Sequence, residues 1–241
     1  MSTYKTKGIV LKRSNFGEAD RLLTIFTEKY GLIRVIAKGV KKPLSKLAGH
    51  IELFCLTDFL IVEGKNLDLL TGAEIRKCFF NLRDNIAPTS KAFYLAEIVI
   101  RMLPESEPHP NIFKLFDDVL ENLNSQNSDL LVVYFEINIL NELGYLPELH
   151  KCVGCGEKLK EQKNYFNYET GGLVCEDCRG TGKKITDETI KMLRLFLSHN
   201  IKIIDKIKAD KKVLNEIKNL TSEYLTHIHQ KEFNSRRFLT N

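Results

Sequence analysis

Four cysteines carry the clearest chemistry in this chain. Cys152-Val-Gly-Cys155 is followed by Cys175-Glu-Asp-Cys178, giving the spacing C-x2-C-x19-C-x2-C. Two cysteines three apart in a tight turn can aim both sulfurs at one point. Two such turns supply four thiolates in a tetrahedron, with zinc–sulfur distances of about 2.3 Å. Gly154 and Gly156 bracket Cys155 and suit the positive φ values that such turns use. Gly171-Gly172 predicts a hairpin turn that returns the second pair to the first. The competing chemistries are two disulfides, a redox pair and an iron–sulfur cluster. A cytosolic chain seldom keeps disulfides, a redox C-x-x-C wants a preceding βαβ unit, and the ribbon-like spacing favours zinc over iron–sulfur. The expectation is one Zn2+ held by Cys152, Cys155, Cys175 and Cys178. Four protein ligands leave no open position, so the ion is expected to be structural. His150 lies two residues before Cys152 and reads as a surface histidine. Cys55 and Cys78 lie in apolar or strand-like runs and read as buried core thiols.

The second chemical feature is basic. The run from Arg34 to Lys46 holds Arg34, Lys38, Lys41, Lys42 and Lys46 and no acid. Cations on a loop leaving a barrel can neutralise phosphates and release counterions. Lys12 and Arg13 close the first strand expected from the pattern and can add to the same face. Gly39 permits close approach of the loop backbone to a strand. Phe16, Phe26 and Tyr30 are loose candidates for base stacking, although a Phe in a small barrel is more often core. A solvated connection between strands is the bland reading of the loop; its lack of compensating acids favours binding.

These groups need elements to position them. Through residue 80 the chain reads as five strands, over 5–12, 21–27, 32–37, 51–62 and 67–75, with hairpin-like spacing. A five-stranded OB-fold barrel fits, and an SH3-like barrel competes. From residue 81 the period becomes helical. Helices are expected over 88–103, from 110 or 111 to 123, 128–143, 186–197 and 211–229, stopped or capped by Pro104, Gly144, Ser128 and Thr186. The helix over 128–143 is apolar on most sides and reads as the centre of a bundle. The expected fold is therefore α+β and multidomain. It has an OB-fold at 1–80, a helical domain in two parts at 81–149 and 183–241, and a four-cysteine zinc insertion at 150–182.

Composition narrows the function classes. The 241 residues are 43% hydrophobic and 28% charged, enough for a core and against wholesale disorder. No apolar run approaches a membrane span, and the first residues lack a signal-peptide layout, so the expected compartment is the cytosol. Net charge is +5, unevenly spread: residues 1–80 hold 14 Lys/Arg against 8 Asp/Glu, residues 81–150 hold 4 against 11, and residues 183–241 hold 13 against 7. Such asymmetry hints at polyanion contact. The lysines over 202–218 are interleaved with Asp205, Asp210 and Glu216, as on an ordinary exposed helix face. The terminal Arg236-Arg237-Phe238-Leu239 reads as a docked or frayed end. No Walker A, G-x-G-x-x-G, H-E-x-x-H or nucleophile-elbow motif occurs, so an enzyme is not expected. A protein-interaction adaptor and an RNA-binding factor are the alternatives to a DNA-binding protein.

The order of several weak motifs resembles one family, the bacterial recombination mediator RecO, along nearly the whole chain. They are Gly8-Ile9-Val10-Leu11, the run Phe16 to Thr27 (FGEADRLLTIFT), Tyr30-Gly31-Leu32 and Ala37 to Lys42 (AKGVKK). They continue with Leu143 to Pro147 (LGYLP) just before Cys152, then Gly171 to Cys175 (GGLVC), and Ser235 to Leu239 (SRRFL). The resemblance implies an N-terminal OB-fold, a helical C-terminal domain and a zinc insertion. It implies binding of single- and double-stranded DNA, annealing of complementary strands, and help in loading RecA onto strands coated by single-strand-binding protein. RecR is the implied direct partner, and the implied setting is the nucleoid within the bacterial cytoplasm. A pocket for the tail of single-strand-binding protein is expected on the helical domain. The DNA-contacting positions carried over are Arg34, Lys38, Lys41 and Lys42, with Lys12, Arg13 and Lys46 beside them.

Overall fold

The computed structural model describes residues 2–126, 128–161 and 163–239. Alternating apolar residues build five strands: β1 (Thr3–Phe16), β2 (Asp20–Thr27), β3 (Gly31–Ala37), β4 (Cys55–Val62) and β5 (Asp68–Cys78). They close into a barrel of order β1-β2-β3-β5-β4. Antiparallel pairing makes most of the ring, and two parallel pairs, Val35↔Asp68 and Ile36↔Leu69, complete it. This is the five-stranded OB-fold arrangement expected from the strand count. Val10, Leu23, Ile25, Val35, Phe59 and Ile61 fill its interior.

Three helices follow: α1 (Phe80–Asp84), α2 (Ile86–Met102) and α3 (Pro110–Ser125). The short α1 has no counterpart among the expected helices, being too short to show a period. Contacts group the barrel and these helices as one compact unit, residues 1–127 with 233–241, and residues 128–232 as another. These units do not coincide with the four segments drawn from the sequence. The physical reason lies in α3, where Phe113 and Phe116 set their rings edge-on to Phe26 of β2. Phe26 is therefore core and unavailable for base stacking.

Cys55 and Cys78 are not free thiols, which corrects the expectation above. The β4–β5 register places them directly opposite each other, with Cα atoms 4.4 Å apart, and a disulfide joins them. Nothing in the spacing of two strand cysteines announces such a pairing, because register is decided across the sheet.

The second unit is built on α4 (Asp129–Glu142), capped by the Ser128 hydroxyl accepting from Leu130 N–H. It is buried on nearly every side, as expected of a central helix. Then come β6 (Asn164–Asn167), β7 (Gly172–Cys175), β8 (Lys183–Ile185), α5 (Asp187–Ser198) and α6 (Lys211–His229). The strands form a small antiparallel sheet with β6 in the middle. Among the described residues, no helix is long and apolar enough to cross a membrane.

Candidate functional site

The four expected ligands converge. The sulfurs of Cys152, Cys155, Cys175 and Cys178 all lie within 4.8 Å of one another. The β6–β7 hairpin delivers the second pair: its turn ends at Gly171, with φ of 73°, and β7 runs directly into Cys175. The first pair is tied to that hairpin by Val153 N–H donating to the Leu173 carbonyl at 2.9 Å. Gly156 takes a positive φ of 76°, as a turn after Cys155 requires. Gly154 serves differently: a Cβ there would meet the Cys178 Cβ at 2.9 Å, so the position provides space between the two turns.

The donor set fits a single cation. A tetrahedron with metal–sulfur bonds of about 2.3 Å has sulfurs about 3.8 Å apart, and Cys155 Sγ lies 3.9 Å from Cys175 Sγ. The sulfurs also compete for negative charge. Burial opposes ionisation of Cys152, but backbone N–H groups, Cys175 foremost, outweigh it and bring the thiol down to about 6. The Cys178 thiol, crowded by the sulfurs of Cys175 and Cys152, is pushed up to about 12. A cation at the centre relieves that competition. Four cysteines close together can thus hold a metal ion.

The basic residues do not all share one condition. Lys38, Lys41, Lys42 and Lys46 are exposed, and no described residue pairs with any of them. Their loop is anchored: Gly39 N–H donates to Asp20 Oδ1 at 2.7 Å, and Lys41 N–H to the Ala19 carbonyl at 3.0 Å. Gly39 itself has φ of 66°. A left-handed turn, not close approach to a strand, accounts for this glycine. Ala19 ends the β1–β2 connection and Asp20 opens β2, so the loop is held beside that corner of the barrel. The sequence reading missed Asp20, because an acid near an Arg in a strand gives no sign of capping a loop 19 residues on.

Lys12, Thr24 and Arg34 stand opposite one another across β1, β2 and β3. Lys12 is exposed and unpaired among the described residues. Arg34 meets Glu105 at 2.9 Å, with both side chains about half exposed, an arrangement worth about 0–1 kcal/mol that a phosphate can displace. Arg13 pairs with Glu52 at 3.1 Å in a more enclosed position and so stands apart from the free cations. Tyr30 is 38% exposed but packs on Tyr4, ring centroids 4.6 Å apart, and Phe16 is 41% exposed. His150 is exposed and outside the sulfur set, as expected.

Two family descriptions match this chain, and they divide it where the barrel ends. The family description "Recombination protein O N terminal" matches residues 1–79, and "Recombination protein O C terminal" matches residues 83–237. A DNA repair protein RecO from Dehalococcoides mccartyi strain 195 is 37% identical over 232 residues, covering 95% of this chain and 92% of the relative. The DNA repair protein RecO of Roseiflexus sp. is 35% identical over 98% of this chain and 84% of its own length. That of Alkaliphilus metalliredigens is 30% identical over 96% of each. The OB-fold barrel, the four-cysteine cluster and these full-length likenesses agree, and the chain belongs to the RecO family of DNA repair and recombination proteins.

Proposed function

We propose that this protein is a recombination mediator that binds single- and double-stranded DNA on the barrel, anneals complementary strands and helps load RecA onto strands coated by single-strand-binding protein. RecR is its direct partner in this reading. The observation that carries it is the set of exposed, unpaired lysines Lys38, Lys41, Lys42 and Lys46 on a loop anchored by Asp20, with Lys12 on the neighbouring strand. Annealing makes and breaks no covalent bond. It needs the repulsion between two phosphate backbones lowered, which unpaired cations do by displacing condensed counterions. The protein therefore acts without an enzymatic step, in the cytoplasm.

The ion proposed for the four cysteines is zinc. Four thiolates in a tetrahedron suit it, and a sulfur separation of 3.9 Å matches one ion, whereas a cluster of several irons spreads its ligands wider. Cys152, Cys155, Cys175 and Cys178 would hold it, and its contribution would be to brace the β6–β7 hairpin.

The test is annealing of complementary single strands, bare and coated, across a salt series, for the wild type and for Lys38→Glu/Lys41→Glu/Lys42→Glu. Salt-sensitive annealing that survives the coating and is lost in the variant supports the proposal. Binding without annealing leaves a nucleic-acid-binding module, with RNA as the competitor strand to include. No binding at all sinks the proposal in favour of a protein-interaction adaptor.

A further inference from the structure

The Ser235 to Leu239 motif has no part in the reading above, yet the structure gives it a defined place. The C-terminal segment leaves the second unit and belongs to the first. Phe233 is buried there against Tyr94 of α2, and the Arg101 guanidinium lies over the Phe233 ring at 5.6 Å. Glu97 of α2 then clamps the chain. Its carboxylate accepts Asn234 N–H at 3.0 Å, Ser235 N–H at 2.7 Å and the Ser235 hydroxyl, and Arg101 meets its Oε1 at 2.7 Å. The segment continues as a short 3-10 turn, Asn234–Phe238, which carries Arg236 and Arg237.

This docking completes a groove of about 730 Å3 within the first unit, lined among others by Lys12, Phe93, Ile100 and Phe238. Its two aromatic side chains are open to solvent, Phe93 at 41% and Phe238 at 52%. The Arg237 guanidinium lies 4.9 Å from the Phe238 ring centroid. Of the carboxylates lining the groove, Glu97 is matched by Arg101; Glu52, next to the lining residue Leu53, is matched by Arg13. Asp84 also lines it. Lys12 belongs both to the groove and to the exposed row Lys12–Thr24–Arg34. From Lys12, β1 runs about 13 Å to Phe16, beside the connection that anchors the basic loop.

From this arrangement we propose that the C-terminal segment is a second nucleic-acid-contacting element of the first unit, in which Phe238 stacks a base of a single strand entering the groove while Arg236 and Arg237 neutralise its phosphates. Exposed rings beside cations are what sequence-tolerant binding of single strands uses, since every base has a π-face. The groove continues the lysine surface through Lys12, so one strand can contact both. Glu97 is a positioning residue: its carboxylate is taken up by Asn234, Ser235 and Arg101, and it sets where the segment lies. The inference rests on the DNA-binding reading above.

The test uses the full-length protein and a single-stranded oligonucleotide carrying 2-aminopurine, titrated at several salt concentrations. For Phe238→Ala the expected result is a loss of quenching and at least about a fivefold drop in affinity, the low end of one base–aromatic stack. Phe238→Trp should restore both. Arg236→Glu/Arg237→Glu should lower the salt slope by about 1. Glu97→Ala discriminates further. It removes a negative charge, so general electrostatics demands tighter binding, whereas loss of positioning demands weaker binding. Wild-type binding with unchanged Phe238→Ala and Arg236→Glu/Arg237→Glu overturns this inference and leaves the lysine loop in place, as it would if the groove served an apolar peptide. A wild type that binds no strand removes the DNA-binding reading and this inference with it.

Discussion

The carboxylate of Asp20 accepts the backbone N–H of Gly39 at 2.7 Å, and through that bond the first residue of β2 holds the lysine loop. The relationship separates two contributions to binding: how many cations the loop carries, and where they are held. Asp20→Ala leaves every lysine present and removes one of the two bonds that anchor the loop, the Lys41 N–H to Ala19 carbonyl bond remaining. The expected outcome is weaker single-strand binding, by about 1 kcal/mol of lost organisation, with the salt slope unchanged. A slope that falls with the affinity would show that phosphate contacts themselves were lost.

Charge reversal of Lys38, Lys41 and Lys42 gives the complementary pattern. Three fewer phosphate contacts should lower the slope of log affinity against log salt by about 2 for a single strand. Thermal unfolding should stay where it was, because these side chains are exposed and unpaired among the described residues. An unchanged slope would remove the loop from the interface.

Replacing Cys175 with alanine takes one corner from the tetrahedron. Metal bound per chain, read by elemental analysis, should fall. Amide protection over β6 and β7 should collapse while the barrel's protection persists, since the cysteine set and that hairpin lie in residues 128–232. Loss of strand binding with full protection retained would make the centre part of the binding surface instead.

The Cys55–Cys78 bond closes a loop with a sequence separation of 23, within β4 and β5. Loop-closure entropy sets its worth at about 3 kcal/mol. A reducing agent should lower the denaturant midpoint of the first unit accordingly, and a Cys55→Ala/Cys78→Ala variant should be indifferent to it. Equal responses of both proteins would show that the bond adds nothing to stability.

Glu97 makes the C-terminal docking sensitive to acid. Burial pushes its carboxyl up, but hydrogen bonds from Ser235 and Asn234, with the charge of Arg101, outweigh burial and hold it below the usual carboxylate range. A group depressed on folding stabilises at pH above its unfolded value, about 4.3. That contribution is lost as pH falls through the lower folded value. The amide resonances of Asn234 and Ser235 should therefore stay constant as pH falls from neutrality to the unfolded carboxyl value, about 4.3, and shift together only below it. Movement near neutrality would mean another group controls the docking.

Features carried by short range are legible along the chain. The spacing of Cys152, Cys155, Cys175 and Cys178 marks two turns with convergent sulfurs, because three-residue geometry is local. The alternating runs through residue 80 foretell β1 to β5, and the Ser128 and Thr186 caps foretell the starts of α4 and α5, since period and capping chemistry act within a few residues. The lysine loop is visible as a run without acids. The remaining features arise from contacts between residues far apart along the chain. Strand register paired Cys55 with Cys78, and the registers of β1 on β2 and β2 on β3 set Lys12 level with Arg34. Helix packing turned Phe26 from a stacking candidate into core, and charges distant in sequence met as Arg13–Glu52 and Arg34–Glu105. The stretch Arg236 to Leu239, which by sequence could be either docked or frayed, follows a segment docked on α2, because one carboxylate, Glu97, satisfies donors 137 and 138 residues away. Such pairings depend on burial and register, which act across the folded chain and leave no periodic trace along it.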